Sequence, residues 1–392
     1  MSQTSRCAGD CPPFNRLGLN YDSEAARLGP PPIGIIDAHV HLRGAAAVAI
    51  YGGVAERFGI SQSWSMTPLA EVPAVREVLG DRVRFIAQPD FSNPDRLHTM
   101  GDGFLEQIDA FHALGASIVK FWAAPRARDL ADEAGQADLM NLDGPHRQMQ
   151  MQRACDLGMA IMTHVGDPDT WFETTYANTM RYGSKRDQYA PLERMLDRFP
   201  VPWIAAHLGG WPENLSWLDG LLTRHPNLYL DTSATKWMVR TLSAHARPAF
   251  AAFVERWPGR ILFGSDIVVQ DAHLAASGDD TARSSQASTP VEARDLYASR
   301  YWALRTLFET DYNGPSPIAD PDLHLIDPKT WGESDAPTLR GQCLSAPLLR
   351  MLYRSAAEGF LSQLGASLKQ EASEVQVLQP LPPQLEDAKG CH

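Results

Sequence analysis

Between residues 33 and 266 the chain alternates short apolar runs with longer amphipathic stretches. The first run, Ile33-Gly34-Ile35-Ile36, closes on Asp37-Ala38-His39-Val40-His41 and reads as a short buried strand. Further strands are expected around 60–66, 82–88, 117–122, 159–164, 201–207, 227–232 and 260–266. Helices fall between them. One over 68–79 opens at Pro68, a favoured first position. Another, over 95–114, stops at Gly115. Others span 146–157, 189–199, 213–224 and 245–257, and residues 45–58 read either as a helix or as a loop of small residues. Strands alternating with helices imply a parallel sheet. Eight repeats of this size imply an α/β fold of the (β/α)8 TIM-barrel type.

The flanks break the pattern. Residues 1–32 are rich in Pro, Gly and polar residues and predict an irregular N-terminal arm. After Asp266 come a Ser/Ala/Asp-rich stretch (275–290), a helix over 290–309 and a Pro/Gly/Asp-rich stretch (310–340). A last helix over 344–364 closes the barrel, and 365–392 reads as a tail. One barrel domain is therefore expected over 33–364, with 275–340 as an inserted, lid-like segment.

Composition narrows the function classes. The chain has 392 residues, 44% hydrophobic and 21% charged, an ordinary globular balance. Its net charge of −12 argues against nonspecific nucleic-acid binding and against a basic membrane-surface patch. No apolar run approaches the roughly 18 residues of a membrane span, and the N-terminus lacks the apolar core of a signal peptide. The expectation is a cytoplasmic protein with a small-molecule substrate, and a homo-oligomer is compatible with it. The odd set Cys7, Cys11, Cys155, Cys343 and Cys391 is no disulfide framework. A terminal metal clip from Cys7, Cys11 and Cys391-His392 stands as an alternative.

Strand alternation puts Asp37, His39 and His41 on one face. In a (β/α)8 barrel the C-terminal strand ends converge on one site. Here those ends carry His39 and His41 (first strand), His164 (fifth), His207 (sixth) and Asp266 (eighth). Neutral imidazole and carboxylate suit zinc or a similar divalent ion. Any one of these residues alone could be a hydrogen-bonded core histidine or a helix cap. Their common placement at one end of four strands is what points to a metal site.

The runs Ile-Asp-Ala-His-Val-His (36–41), Ala-Ser-Ile-Val-Lys-Phe (116–121), Thr-His-Val-Gly (163–166), Ala-His-Leu-Gly-Gly (206–210), Tyr-Leu-Asp-Thr-Ser (229–233) and Leu-Phe-Gly-Ser-Asp (262–266) resemble the amidohydrolase superfamily, in its amidohydrolase-2 branch. That branch holds hydrolases, lactonases and decarboxylases of the aminocarboxymuconate-semialdehyde type. A late match, Leu-Leu-Arg-Met-Leu-Tyr-Arg-Ser-Ala-Ala (348–357), has Ser355-Ala356 where the branch usually has Asn-Ala. The resemblance implies one divalent ion held by His39, His41, His164 and Asp266, with His207 beside it as an acid–base or polarising residue. Zinc is expected, with manganese or iron as alternatives. Asp266 would take a proton from the attacking water, and His207 and the ion would polarise a carbonyl. Lys120 would stay unmodified and orient an acidic group; a bridging carbamate on it is the alternative. Trp122, Trp211 and Lys236 are further candidate substrate contacts.

The expected activity is hydrolysis of an amide, lactone or ester. Non-oxidative decarboxylation on the same site is the alternative, and a catalytically silent binding barrel is the third reading.

Overall fold

In the computed structural model, which describes residues 11–276 and 286–364, the apolar runs become β1 (Ile35–Leu42), β2 (Ile60–Ser65), β3 (Val83–Phe85), β4 (Ile118–Trp122), β5 (Ala160–His164), β6 (Trp203–Ala205), β7 (Leu228–Asp231), β8 (Ile261–Leu262) and β9 (Ile267–Val269). The tail expected over 365–392 lies outside the described residues, as do Cys7 and Cys391. The strands form two parallel arcs, β3-β2-β1-β9 and β4-β5-β6-β7-β8. Hydrogen bonds join the arcs at both seams. Ala87 N–H reaches Ile118 O at 2.8 Å and Lys120 N–H reaches Ala87 O at 2.8 Å; across the other seam Ala38 N–H reaches Phe263 O at 2.9 Å. The ring is a (β/α)8 barrel.

The eighth strand is shorter than the apolar run suggests. It ends at Leu262, and a turn through Gly264-Ser265-Asp266 leads into β9, which pairs with β1. Residues of one parity on each strand fill the barrel: Ile118 on β4, Ala160 and Met162 on β5, Tyr229 on β7, Leu262 on β8. The last helix closes this interior with Phe360, whose ring lies 6.1 Å from Trp64 and 5.0 Å from Tyr229. Each fully buried large apolar side chain contributes about 1.5–3 kcal/mol, so the plugged interior is a packed core and not a channel.

β1 departs from simple alternation. Ile36 and Ala38 face the barrel interior, whereas Val40 packs into the outer layer. The register against β2 shifts between Asp37 and Val40. This bulge corrects the expectation that Asp37, His39 and His41 share a face. Asp37 turns toward the surrounding helices, while the two histidines turn inward.

The segment expected to be an insertion holds the helix Pro290–Glu309. Thr289 caps it, its Oγ1 accepting from Glu292 N–H at 3.2 Å. Tyr297, Tyr301, Leu304, Leu307 and Phe308 on it are fully buried, so it belongs to the barrel's helical layer. Of the rest of that segment, 277–285 lies outside the described residues, and 310–340 holds the antiparallel pair β10 (Asn313–Pro315) and β11 (Thr338–Arg340) and the short helix Asp322–Ile326. A helix that the sequence pattern did not predict, Thr235–Ala244, follows β7. Its Thr, Trp and Val are weak helix formers, and contacts with the long helix outweigh that propensity. Among its described residues the arm contains one regular element, the helix Tyr21–Leu28, capped by Asn20. Cys11 is disulfide-bonded and therefore offers no thiolate to a metal clip. Among the described residues no helix is long and apolar enough to cross a membrane.

Candidate metal centre

The inward parity of the barrel strands continues to their C-terminal ends. Ile118 leads to Lys120, Met162 to His164 and Tyr229 to Asp231, so these three polar groups face the mouth above the apolar interior. Left-handed backbone at residues that carry a Cβ supplies the rest. His207 (φ 59°), Leu208 (φ 49°), Ala234 (φ 64°) and Asp266 (φ 60°) all lie at the same end of the barrel. Each costs about 1–2 kcal/mol, which the surrounding packing offsets, and such strain gathers where side chains must be aimed. Gly210 shows how close the loops after β5 and β6 approach: a Cβ there would sit 2.1 Å from Gly166 O.

His39 is 1% exposed, and its Nδ1 lies 2.8 Å from Asp231 Oδ2. That bond directs Nε2 to the other side, 3.6 Å from Asp266 Oδ1; His41 Nε2 lies 3.2 Å from the same oxygen. Two donors bound tetrahedrally at the usual ~2.0–2.1 Å zinc distance stand roughly 3.3 Å apart, so the three groups fit around one ion. Asp231 with His39 forms the carboxylate–histidine pair that commonly orients a metal ligand. Asp231 Oδ1 also accepts from His207 N–H at 2.9 Å, from Ser233 N–H at 3.0 Å and from the Ser233 hydroxyl. Ser233 Oγ in turn lies 2.7 Å from His207 Nδ1 and 3.1 Å from His39 Nδ1.

His164 is placed differently. Its ring lies 4.5 Å from that of His207, and its Nε2 is turned to Asp167 Oδ1 at 2.9 Å, with Tyr176 O–H donating to the other Asp167 oxygen. It stands outside the tight group His39–His41–Asp266, and a second tight group joins His39, His207 and Asp231.

Electrostatics separates the roles. Burial would raise the Asp266 carboxyl, but the His41 hydrogen bond and the neighbouring imidazoles hold it well below the usual range. Asp231 is likewise held down by His39 against the effect of burial. His207 is pushed well below the ordinary histidine value by burial and then by His164, so it is neutral at pH 7. Burial lowers Lys120 to about 8, with Asp231 and Asp266 opposing, and its buried Nζ has no hydrogen-bond partner. Asp37 rises to about 7 through burial, partly offset by the hydrogen bonds it accepts.

The other expected contacts are more dispersed. Trp122 pairs with His164 across β4 and β5 and packs on the Met100–Leu139–Met140 cluster. Trp211 is buried between Tyr189 and Trp217, its Nε1 3.3 Å from Asp169 Oδ2, in the side wall and away from the imidazoles. Lys236 is lowered by burial and by Arg300, and raised by Asp320 and Asp322, on the first turn of the helix after β7. Next to it Trp237 lies 5.5 Å from the His207 ring and 6.4 Å from that of His164. Asp231 and Ser233 lie inside the run Tyr-Leu-Asp-Thr-Ser (229–233) but are not of the metal-ligand pattern that marks the histidines. Their signal was a carboxylate at a strand end of inward parity.

The amidohydrolase family model matches residues 36–340. Three solved structures align with the chain at low similarity. A Burkholderia multivorans amidohydrolase with bound HEPES has 12% identity and a TM-score of 0.40, over 83% of this chain and 99% of that one. A Novosphingobium aromaticivorans 5-carboxyvanillate decarboxylase, complexed with manganese and a nitrobenzoic acid, has 11% identity and a TM-score of 0.39, over 86% and 97%. A Deinococcus radiodurans organophosphorus hydrolase variant has 14% identity and a TM-score of 0.35, over 70% and 94%. No curated protein matches the chain. The family match spans every strand from β1 to β9 and all the strand-end groups described above, and the chain belongs to the amidohydrolase family.

Proposed function

We propose that this chain is a metal-dependent hydrolase acting on the amide, lactone or ester carbonyl of a small molecule. The observation that carries the reading is the convergence of His39 Nε2, His41 Nε2 and Asp266 Oδ1 at 3.2–3.6 Å, with Asp231 fixing the first of them. His39, His41 and Asp266 hold one divalent ion, and a turn of the His164 ring away from Asp167 adds the fourth ligand. Nitrogen and oxygen donors favour zinc, and manganese or iron suit them as well. The ion, when bound, supplies Lewis acidity to a carbonyl and to water.

Asp266, held ionised, accepts the proton of the attacking water through the oxygen that the imidazoles do not share. Of the two roles expected for His207, the hydrogen bonds favour the acid–base one. Ser233 gives its proton to Asp231, so His207 Nδ1 donates to Ser233 Oγ and leaves Nε2 as an acceptor. His207 Nε2 would therefore act as an acid–base group: it takes from Asp266 the proton that the attacking water has lost and hands it to the leaving group, which leaves both residues as they began. Lys120 and Lys236 flank the mouth as cations for an acidic substituent, with Trp122 and Trp237 as apolar walls.

One observation favours a second reading, non-oxidative decarboxylation. The Lys120 amine is buried, has no hydrogen-bond partner and suits a substrate carboxylate. Turnover in ¹⁸O-labelled water, over a panel of small esters, lactones, amides and aromatic carboxylates, separates the two. Label in the acyl product is expected, and Asp266→Asn should lower the rate by at least 10²–10⁴-fold. Release of CO₂ with no label in the organic product selects the decarboxylase. Protein that takes up no metal and turns over nothing is the silent barrel.

A further inference from the structure

The bulge in β1 is held by a buried polar chain that reaches the outer helices. Asp37 is fully buried and accepts four hydrogen bonds. Oδ1 takes His39 N–H at 3.1 Å and Ser265 N–H at 3.0 Å; Oδ2 takes the Ser265 hydroxyl at 2.6 Å and the Tyr301 hydroxyl at 2.9 Å. Tyr301 spends its proton on Asp37, so its oxygen accepts from Tyr51 O–H at 2.7 Å, and Tyr51 accepts from Ser63 O–H at 2.7 Å. All four residues are at most 3% exposed. The donors therefore run in one direction, Ser63 to Tyr51 to Tyr301 to Asp37, and each bond polarises the next.

The place of Asp37 gives the chain its consequence. His39 N–H belongs to the bulge that turns His39 and His41 inward. Ser265 N–H belongs to the turn that puts Asp266 in left-handed backbone, and Asp266 N–H closes that turn on His39 O at 2.8 Å. One carboxylate thus ties together the two backbone segments that carry the converging donors. Its outer anchor comes from the helices Pro290–Glu309 and Ala45–Arg57. We infer that Tyr301, supported by Tyr51, is a positioning residue for the metal centre: through Asp37 it sets the separation of His39 and His41 from Asp266. This rests on the metal-site reading above.

The test is metal binding, not turnover. Protein stripped of metal is titrated with Co²⁺, followed by its visible spectrum, and the zinc Kd is read by chelator competition, all well below the unfolding temperature. Tyr301→Phe keeps the ring and removes only the donor. It should raise the zinc Kd by about ten- to hundredfold and shift the Co²⁺ bands, as loss of an outer partner of metal ligands does. Tyr51→Phe should act in the same direction but several-fold more weakly, and the double variant should be no worse than Tyr301→Phe alone. A lower melting temperature with unchanged Kd and spectrum makes the chain merely structural and overturns the inference. If Tyr301→Phe does not fold, Tyr51→Phe decides on the same readouts. Wild-type protein that takes up neither Co²⁺ nor zinc overturns the metal-site reading itself, and this inference with it.

Discussion

Asp231 is fully buried beside His39 and His207, and the orientation of both imidazoles depends on it. Its two oxygens accept from His39 Nδ1, the His207 backbone, the Ser233 backbone and the Ser233 hydroxyl. Asp231→Asn keeps the volume but replaces one acceptor oxygen with a donor. Metal affinity should fall by about 10–100-fold, read by chelator competition. Lys120 illustrates the opposite balance, a group that costs stability. An amine lowered from 10.5 to about 8 binds fewer protons folded than unfolded between those two values. Stability therefore rises with pH across that window, and below pH 8 the full cost of burying the cation is present, on the order of 3 kcal/mol as an upper bound. Lys120→Met should raise the melting temperature at pH 7, and the gain should shrink as pH climbs from 8 to 10.5. Calorimetry at three pH values checks both the sign and the window. A residue retained at such a cost fits a role in binding an acidic group.

Elements were legible in proportion to how local their causes are. The apolar runs and the capping and stop residues are local, so the strands and the helix Pro290–Glu309 stand close to where the sequence pattern put them. Three features depend on distant partners and were not visible in that pattern. The β1 bulge is fixed by Asp37 acting on Ser265, distant in sequence but on the neighbouring seam. The turn that splits the eighth apolar run at Asp266 is fixed by His39 O. The helix that brings Trp237 to the histidines follows Ala234 in left-handed backbone. His39, His41 and Asp266 could be found because metal-ligand types at strand ends are conspicuous. Asp231, Ser233 and Tyr301 act through other residues and leave no such mark. The segment 310–340 makes a test at this scale. Asp322 accepts from Trp171 Nε1 at 3.0 Å and from Arg240 at 3.0 Å, and Arg240 also pairs with Asp320. These bonds fasten 310–340 to the loop after β5 and to the helix after β7. Asp322→Ala should speed amide exchange and proteolysis within 310–340 while leaving metal content unchanged. Loss of metal instead would make this segment part of the site's frame.

For the whole molecule, folding, metal occupancy and pH are one linked equilibrium. On the reading proposed above, His39, His41 and Asp266 hold a single ion, and a second would need a bridging anion such as a carbamate on Lys120, whose amine lies near Asp231 and Asp266. Elemental analysis should therefore find about one divalent ion per chain, with no loss of that ion in Lys120→Met. Two ions per chain, both sensitive to Lys120, would replace the single-ion arrangement with a bridged pair. An ion that binds only the folded chain stabilises it by RT ln(1 + [M]/Kd), about 2.7 kcal/mol at a hundredfold excess over Kd. Acid removes this support in a predictable window. His207 is neutral in the folded protein because its value is pushed well below 6.5, whereas the unfolded chain takes up that proton near 6.5. Below that pH the unfolded state binds the extra proton and stability falls. Ion binding also weakens in acid, because a ligand imidazole must be unprotonated to bind. Thermal unfolding between pH 5 and 8 should show a metal-dependent rise in melting temperature at pH 8 that vanishes toward pH 5. In His207→Gln the loss should be shallower on the metal-free protein, since the residue whose burial sets that slope is gone. An equally steep acid loss in the metal-free variant would assign the slope to another group and remove His207 from the linkage.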